Sequence, residues 1–348
     1  MKHKQTLSSA VACVVLSLLL LTVLYFSSGI HWEAAQPFTR TFRSIVELRK
    51  VYDIKYNSYY IAGVTQDSIY LGNLTAPLHA IGMDNESLDT QHIEIKVKNL
   101  PKLSLRSTRL SVRDRHFFIS DGSNRTIITG HTGTWKMLNT YIVDEYFNDF
   151  EPIDSSFFAV RAYGTNRENI LGTISARKDN IVQFSDHLLE KQIDGIFCTD
   201  GMLHYVPYFD NLVYVYYYRN EYIVFGKALN LVARSNTLDT ISFAQIESHK
   251  LVSSNTYTMT RPPVLVNRNT CVWDRSLLIN SPSLSKNENR EAFRTSSVID
   301  VYDLQTRTYS FSFRIADYNG QKLKSFTVSG NTLIALFDHY FIAYTITM

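Results

Sequence analysis

The sequence predicts an all-β fold built from repeated four-strand units, and three observations predict it. The first is composition: 22 Tyr and 20 Phe against 14 Gly and 8 Pro in 348 residues favour extended structure, because aromatic side chains fill a pleated surface well. The second is a recurring phrase, an apolar residue, four residues rich in turn formers, then a short apolar strand. The third is that further strand-like runs follow each copy before the next begins. Charge lends no support to one partner class: 35 basic against 32 acidic residues leave +3, so composition implies no polyanion-binding surface and no nucleic acid partner is expected.

In chain order, the first element is hydrophobic. Lys2, His3 and Lys4 precede a charge-free run from about Ala10 to Phe26 that contains VACVVLSLLLLTVLYF. A bilayer core requires roughly 20 apolar residues, and positive charge ahead of the run sets its orientation. A transmembrane signal anchor is therefore predicted over 10–29, with residues 1–9 cytoplasmic and 30–40 a juxtamembrane linker in which Trp32 takes an interfacial place. A cleaved signal peptide is the second reading and a buried core helix the third; the run is long for a removable h-region, and no A-x-A site follows it. Cys13 stands too early in the run for a lipidated cysteine. Cys198 and Cys271 lie in apolar runs, GIFCTDG and NTCVWD, as buried free thiols would.

The repeated phrase occurs as Val64-TQDS-IYL, Val112-RDRH-FFI, Ile153-DSSF-FAV, Cys198-TDGM-LHY, Val272-WDRS-LLI and Val328-SGNT-LIA. Each copy reads as a tight connection between two antiparallel strands. RTIITG and TWKML follow the second copy, NILGTIS and NIVQF the third, NLVYVYYY and YIVFG the fourth, SSVIDVYDL and TYSFSFRI the fifth. About four strands in units of roughly 40 to 50 residues predict a six-bladed β-propeller over 41–348, with a solenoid of hairpins as the alternative. After the sixth copy only HYFIAYTITM remains, so the last blade lacks its outermost strand. An open edge would expose unpaired amides and carbonyls. Part of 41–56, TFRSIVELRKVYDI, is expected to fill that place and close the ring.

Two spacings are long. The excess is placed in an insert after the fourth strand of blade four, about Lys227 to Arg261, and in another between strands two and three of blade five, about Ser281 to Thr295. In a propeller both connections leave the same face. Shared facing makes Lys286, Asn287, Glu288, Asn289, Arg290 and Glu291 a candidate partner-binding loop, with a plain solvated loop as the alternative.

No catalytic, cofactor-binding or metal-ligating signature is present: the nucleophile elbow, phosphate loop, dinucleotide, zincin, C-x-x-C and EF-hand patterns are all missing. The ten histidines form no pair at i, i+4, and His116, His204 and His339 read as structural imidazoles in or beside strands. Asp67, Asp114, Asp154, Asp200 and Asp274 recur within the four-residue connections, where accepting local amide protons is their expected task. Tyr214, Tyr216 and Tyr218 alternate with Val213, Val215 and Tyr217, as packing between blades requires.

The blocks SSVIDVYDLQTRTYSFSFRI, LKSFTVSGNTLIALFDHYFIAYTI and NLVYVYYYRNEYIVFGKALNLVARSNTLDT resemble a family of bacterial membrane-anchored six-bladed propellers of TolB-like type, over roughly residues 40 to 348. The resemblance implies an envelope protein in the inner membrane whose propeller faces the periplasm. It carries no catalytic residues, and cofactors stay unknown. The function expected is a protein or peptide binding module, with the membrane and an envelope protein as partners. An extracytoplasmic enzyme, or a cofactor or small-molecule binder with its site in the central channel, is the alternative. Converging acids or histidines at one channel mouth would favour that second reading.

Overall fold

The computed structural model describes residues 2–27, 36–97, 103–177, 181–251 and 256–347. Residues 28–29 of the expected anchor, 30–35 of the expected linker and Trp32 lie outside them. Helix α1 runs Lys2–Ser27, and its described side chains, 11–24, are all exposed. Among the described residues no helix is long and apolar enough to cross a membrane. At about 1.5 Å per residue, 11–24 spans roughly 21 Å of a core near 30 Å, so these residues by themselves do not carry the anchor expected over 10–29.

The rest is a six-bladed propeller. Strand β1 (Val46–Asp53) precedes blade one, made of β2 (Tyr59–Val64), β3 (Ser68–Asn73), β4 (His79–Asp84) and β5 (Thr90–Glu94). Blade two is β6 (Thr108–Arg113), β7 (His116–Asp121), β8 (Thr126–His131) and β9 (Lys136–Ile142). Blade three is β10 (Phe147–Pro152), β11 (Phe157–Tyr163), β12 (Asn169–Ser175) and β13 (Ile181–Ser185). Blade four is β14 (Gly201–Val206), β15 (Asn211–Tyr216), β16 (Glu221–Gly226) and β17 (Leu231–Asn236). A two-stranded hairpin, β18 (Ser248–Leu251) and β19 (Thr256–Met259), lies between blades four and five. Blade five is β20 (Asn269–Trp273), β21 (Ser276–Ser281), β22 (Ser296–Asp303) and β23 (Thr308–Ala316), with the short helix α2 (Arg290–Arg294) between β21 and β22. Blade six has β24 (Ser325–Ser329), β25 (Thr332–Leu336) and β26 (Tyr340–Ile346).

The expected closure is present. β1 pairs antiparallel with β26, Val46 opposite Ile346 and Asp53 opposite Tyr340, so the amino-terminal strand is the outermost strand of the last blade. The first strands β2, β6, β10, β14, β20 and β24 touch one another in sequence and back again, which puts them around the channel. Apolar and aromatic faces fill each gap between blades. Leu110 and Phe117 meet Tyr70 between blades one and two, Phe118 meets Phe158 edge to face at 5.6 Å between two and three, and Ile69 and Leu71 meet Ile334 and Phe341 between one and six. Burying each such side chain contributes about 1.5 to 3 kcal/mol. Tyr214 and Tyr216 face blade three while Val213 and Val215 face blade five, as the alternation predicts. Cys198 and Cys271 are buried and unbonded.

Five of the six repeat copies are hairpin turns between first and second strands. The fourth is not: Cys198 to Asp200 lie ahead of β14, and the turn of blade four is Val206-PYFD-NLV, with Asp210 at φ 52° like Asp114 at 51° and Asp274 at 52°. Carrying the frame to its correct place makes β17 the fourth strand, so Lys227 belongs to a turn inside the blade, and the insert starts only after Asn236. The extra length divides between two connections, 186–200 into blade four and 237–268 out of it. The blade-five insert stands where expected, between β21 and β22. Both inserts share a face and touch, the Ser283 hydroxyl donating to Asp239, and the first insert also reaches blade five itself, the Leu238 amide donating to Tyr302 Oη of β22 at 2.9 Å.

Candidate functional site

The expected loop 286–291 holds its own chain. Arg40 enters beneath it, 3% exposed, and donates in bidentate fashion to Asp300 at 2.8 and 3.0 Å, to Glu288 Oε2 at 2.9 Å, and to Ser281 Oγ and the Ser283 carbonyl at 2.8 Å each. Burial opposes that charge, and the two carboxylates more than offset it, so the guanidinium stays protonated with its pKa raised. Asn287 receives the Arg40 amide and donates to the Arg40 carbonyl, the Lys286 amide donates to the Phe38 carbonyl, and Asn289 caps α2. Glu288 also accepts from Arg314 at 2.8 Å. Residues 36–43 thus form a strap along blade five. Lys286, Arg290 and Glu291 remain exposed on the outer side of the loop.

Elsewhere on the same face a cavity of about 1160 Å³ opens at the channel mouth over blades one to three. First strands supply its floor: Tyr60 and Ile61 from β2, Arg109 to Ser111 from β6, Phe147 to Phe150 from β10. Connections supply its walls, through Arg106, Tyr146 and Phe197, and through Ser123, Asn166, Arg167 and Glu168 of the turns between second and third strands. Tyr257 reaches in from β19. The hairpin that carries it is held back over this side by Ser248 Oγ on Asp194, by Gln192 on Ser242 and Ala244, and by Ile246 and Ala244 against Cys198. Gly122 makes one wall: a methyl group there would lie 1.7 Å from the Phe147 carbonyl oxygen, so the turn of blade two abuts β10 only without a side chain.

Charged groups from blades two to four surround the channel beneath. Arg161 of β11 is 8% exposed; its Nε donates to Asn148 Oδ1 at 2.8 Å, and its Nη1 donates to the Gly201 carbonyl at 2.8 Å, Tyr214 Oη at 2.9 Å and Asp200. Asp149 lies directly across the strand pair from it. Burial holds the Asp149 carboxyl above the usual carboxylate range, with Arg161 pulling the other way. Glu151 is likewise raised by burial, although it accepts from Arg113 at 2.5 Å and from the Tyr205 amide at 3.1 Å. Both acids are enclosed by the ring yet keep part of their surface open to the channel, 18% of the side chain for Glu151. His204 Nε2 lies 2.6 Å from Thr270 Oγ1, and burial lowers its pKa to about 4, so the ring is neutral near pH 7.

His204 therefore fits the structural role expected, while facing the channel acids. Asp154 accepts the Ser156 amide at 2.7 Å, and Asp114 and Asp274 sit in tight turns, as turn chemistry predicts. Asp200 departs from that group, since it pairs with Arg161 at the edge of the site. Sequence inspection did not single out Arg161, Asp149, Arg106, Arg109 or Arg167. One signal was available: β10 reads FNDFEP, and two acids and an Asn in an innermost strand are unusual for a segment meant to be packed. Among the described residues no group of three or more His, Cys, Asp and Glu is arranged to hold a metal ion.

Fold and site together define a six-bladed propeller with a ligand-sized cavity at its insert-bearing channel mouth. No family model matches the chain, and no curated protein matches it. Solved structures similar to it are a streptogramin B lyase (7% identity, 86% of this chain and 98% of that one, TM-score 0.47) and a DUF4221 family member from Bacteroides vulgatus (12%, 86% and 97%, 0.48). The Pan2 WD40 domain of Neurospora crassa is similar at 8% identity, over 89% of this chain and 98% of that one, with a TM-score of 0.48. The six-bladed assignment rests on this chain's own strand pairing.

Proposed function

We propose that this protein is a membrane-anchored extracytoplasmic propeller that binds a protein or peptide segment at the insert-bearing channel mouth. The cavity carries the proposal. Its 1160 Å³ exceeds the roughly 300 to 1,000 Å³ of small-molecule sites, and Tyr146, Tyr163 and Tyr257 line it while 55%, 41% and 39% exposed, so these rings are not used up as core. Anchoring is supported by the sequence of 10–29 and by the uniformly exposed apolar side chains of 11–24, which only lipid or another apolar surface would cover. The periplasmic location and the TolB-like kinship belong to the same proposal. The strap binds Leu284 and Thr240 through Gln36 on the cavity's face, and nine peptide steps from Ser27 extend at most about 32 Å, so an anchored propeller would turn that face toward the bilayer.

A photo-crosslinking amino acid at Tyr257, introduced into the full chain in cells, tests the binding role. Capture of a discrete partner that is lost when the same group is moved to exposed Leu138 on the outer strand β9 is expected; equal labelling at both positions would refute it. Retention in the membrane pellet after alkaline extraction, lost on removal of 1–29, is expected of the anchor. A second reading has one specific observation in its favour: Asp149, an acid raised by burial, lines the cavity beside Arg161, as a proton donor for a small channel-bound substrate would.

A further inference from the structure

The charges around the cavity are unequally engaged. The two carboxylates that line it each have a cation or a cost that reduces their negative charge, Glu168 pairing with Lys191 and Asp149 sitting across from Arg161 with its acid form favoured. Behind the lining, Asp200 pairs with Arg161, and the buried Asp121 is taken up by Ser104, Ser107, Ser123 and Asn124. The cations are not so matched. Arg106, Arg109 and Arg167 line the cavity, and among the described residues none has a carboxylate partner; Arg109 Nη1 donates only to the Arg106 and Thr108 carbonyls at 3.0 and 2.8 Å. Three forked donors at one mouth, none of them paired with an acid among the described residues, are complementary to carboxylates supplied from outside.

We infer that the cavity takes an acidic peptide segment, extended, with Asp or Glu side chains for these arginines and an aromatic or aliphatic side chain for the tyrosines. This rests on the binding role proposed above. A single small anion fits less well, because the arginines come from different parts of the lining, Arg109 from β6, Arg106 from the connection that leads into it and Arg167 from the turn of blade three, and would engage separate carboxylates. An acyl chain fits less well too. The remaining lining includes Ser107, Ser111, Ser120 and Ser123, whose hydroxyls suit peptide amides and not hydrocarbon.

The test is selection of a random twelve-residue displayed peptide library on the purified full chain in neutral micelles, repeated on Ser123→Trp, which fills the mouth, and on the triple variant R106A/R109A/R167A. Peptides that bind the wild type and not Ser123→Trp, with Asp and Glu enriched at least about threefold, are expected; a synthetic peptide of the selected sequence should lose about thirty-fold in affinity on the triple variant and weaken as salt rises. The thermal midpoint of the triple variant, unchanged, shows that the loss is not unfolding. Cavity-dependent peptides that are neutral or basic, or that bind the triple variant equally, overturn the acidic inference and leave the binding role standing. If no selected peptide is sensitive to Ser123→Trp, the binding role itself fails. Binding of phosphatidylglycerol vesicles by wild type and not by the triple variant, without peptide selection, overturns the inference in favour of lipid.

Discussion

The two sides of the insert-bearing face treat buried arginine differently. On blade five Arg40 and its partners Glu288 and Asp300 have side chains 0%, 0% and 2% exposed, and all five donors of the guanidinium are matched at 2.8 to 3.0 Å on two acids, a hydroxyl and a carbonyl. On blade three Arg161 is enclosed, but its partner Asp200 is 31% exposed and its neighbours open onto a cavity. One side is a dry, closed network that fixes the strap and the loop. The other is a half-wet network with arginines left over around it. The closed network fixes local geometry, and the open one leaves part of its surface at the cavity.

Breaking the closed side should have the largest effect. Arg40→Met strands Asp300 in a dry site and leaves Glu288 with Arg314 alone, and a loss of about 3 to 5 kcal/mol in urea unfolding is expected, with early proteolysis of the strap. Asp300→Asn in the same background should restore part of it, because Asp300 has no second cation as Glu288 has in Arg314; no restoration would mean that Arg40 acts through packing alone. Arg161→Met should lose less, about 2 kcal/mol, because Asp200 can hydrate and Asp149 can take up a proton. Equal losses at the two sites would remove the distinction between them.

Acid sharpens the comparison on the open side. Folded His204 has a pKa of about 4 against an ordinary 6.5, so between those values the unfolded chain binds a proton that the folded chain does not. Its contribution is therefore complete above pH 6.5 and is lost as pH falls toward 4, by about 2 kcal/mol after allowance for its open side. Asp149 and Glu151 act in the opposite sense, since raised acids favour the folded state as they protonate. His204→Gln should leave their contribution in place and flatten the falling limb, seen as a smaller difference between urea midpoints at pH 7 and pH 4.5. A variant as acid-sensitive as the wild type would place the titration elsewhere.

The ring was legible because its physics is periodic. Alternation in NLVYVYYY and the missing outer strand after HYFIAYTITM follow from local pattern and from the need to pair every edge, and β1 sits where that need places it. The failure at Cys198 has the same origin. TDGM has the composition of a turn, but Asp200 serves an ion pair with Arg161, 39 residues away in the sequence, and the true turn PYFD carries two aromatics that disguise it. Arg40 was equally invisible, a single cation before the ring whose acids stand some 250 residues later. Site chemistry assembled from four blades has no local signature, whereas an unusual strand such as FNDFEP does.

The smallest effect is the one most specific to the open side. Arg167 is exposed, projects from the turn between β11 and β12, and has no carboxylate partner among the described residues, so Arg167→Ala removes a charge without stranding another. Its effect on unfolding should stay below about 0.5 kcal/mol, as for surface positions free of buried partners. The same holds for Arg106→Ala, and the two should add, because neither shares an acid with the other. Denaturant midpoints for both single variants and the double variant measure this. A loss above about 1 kcal/mol, or a clear departure from additivity, would give these arginines a structural task like that of Arg40; unchanged midpoints leave them as charges that the fold itself does not use, held at the mouth of the cavity.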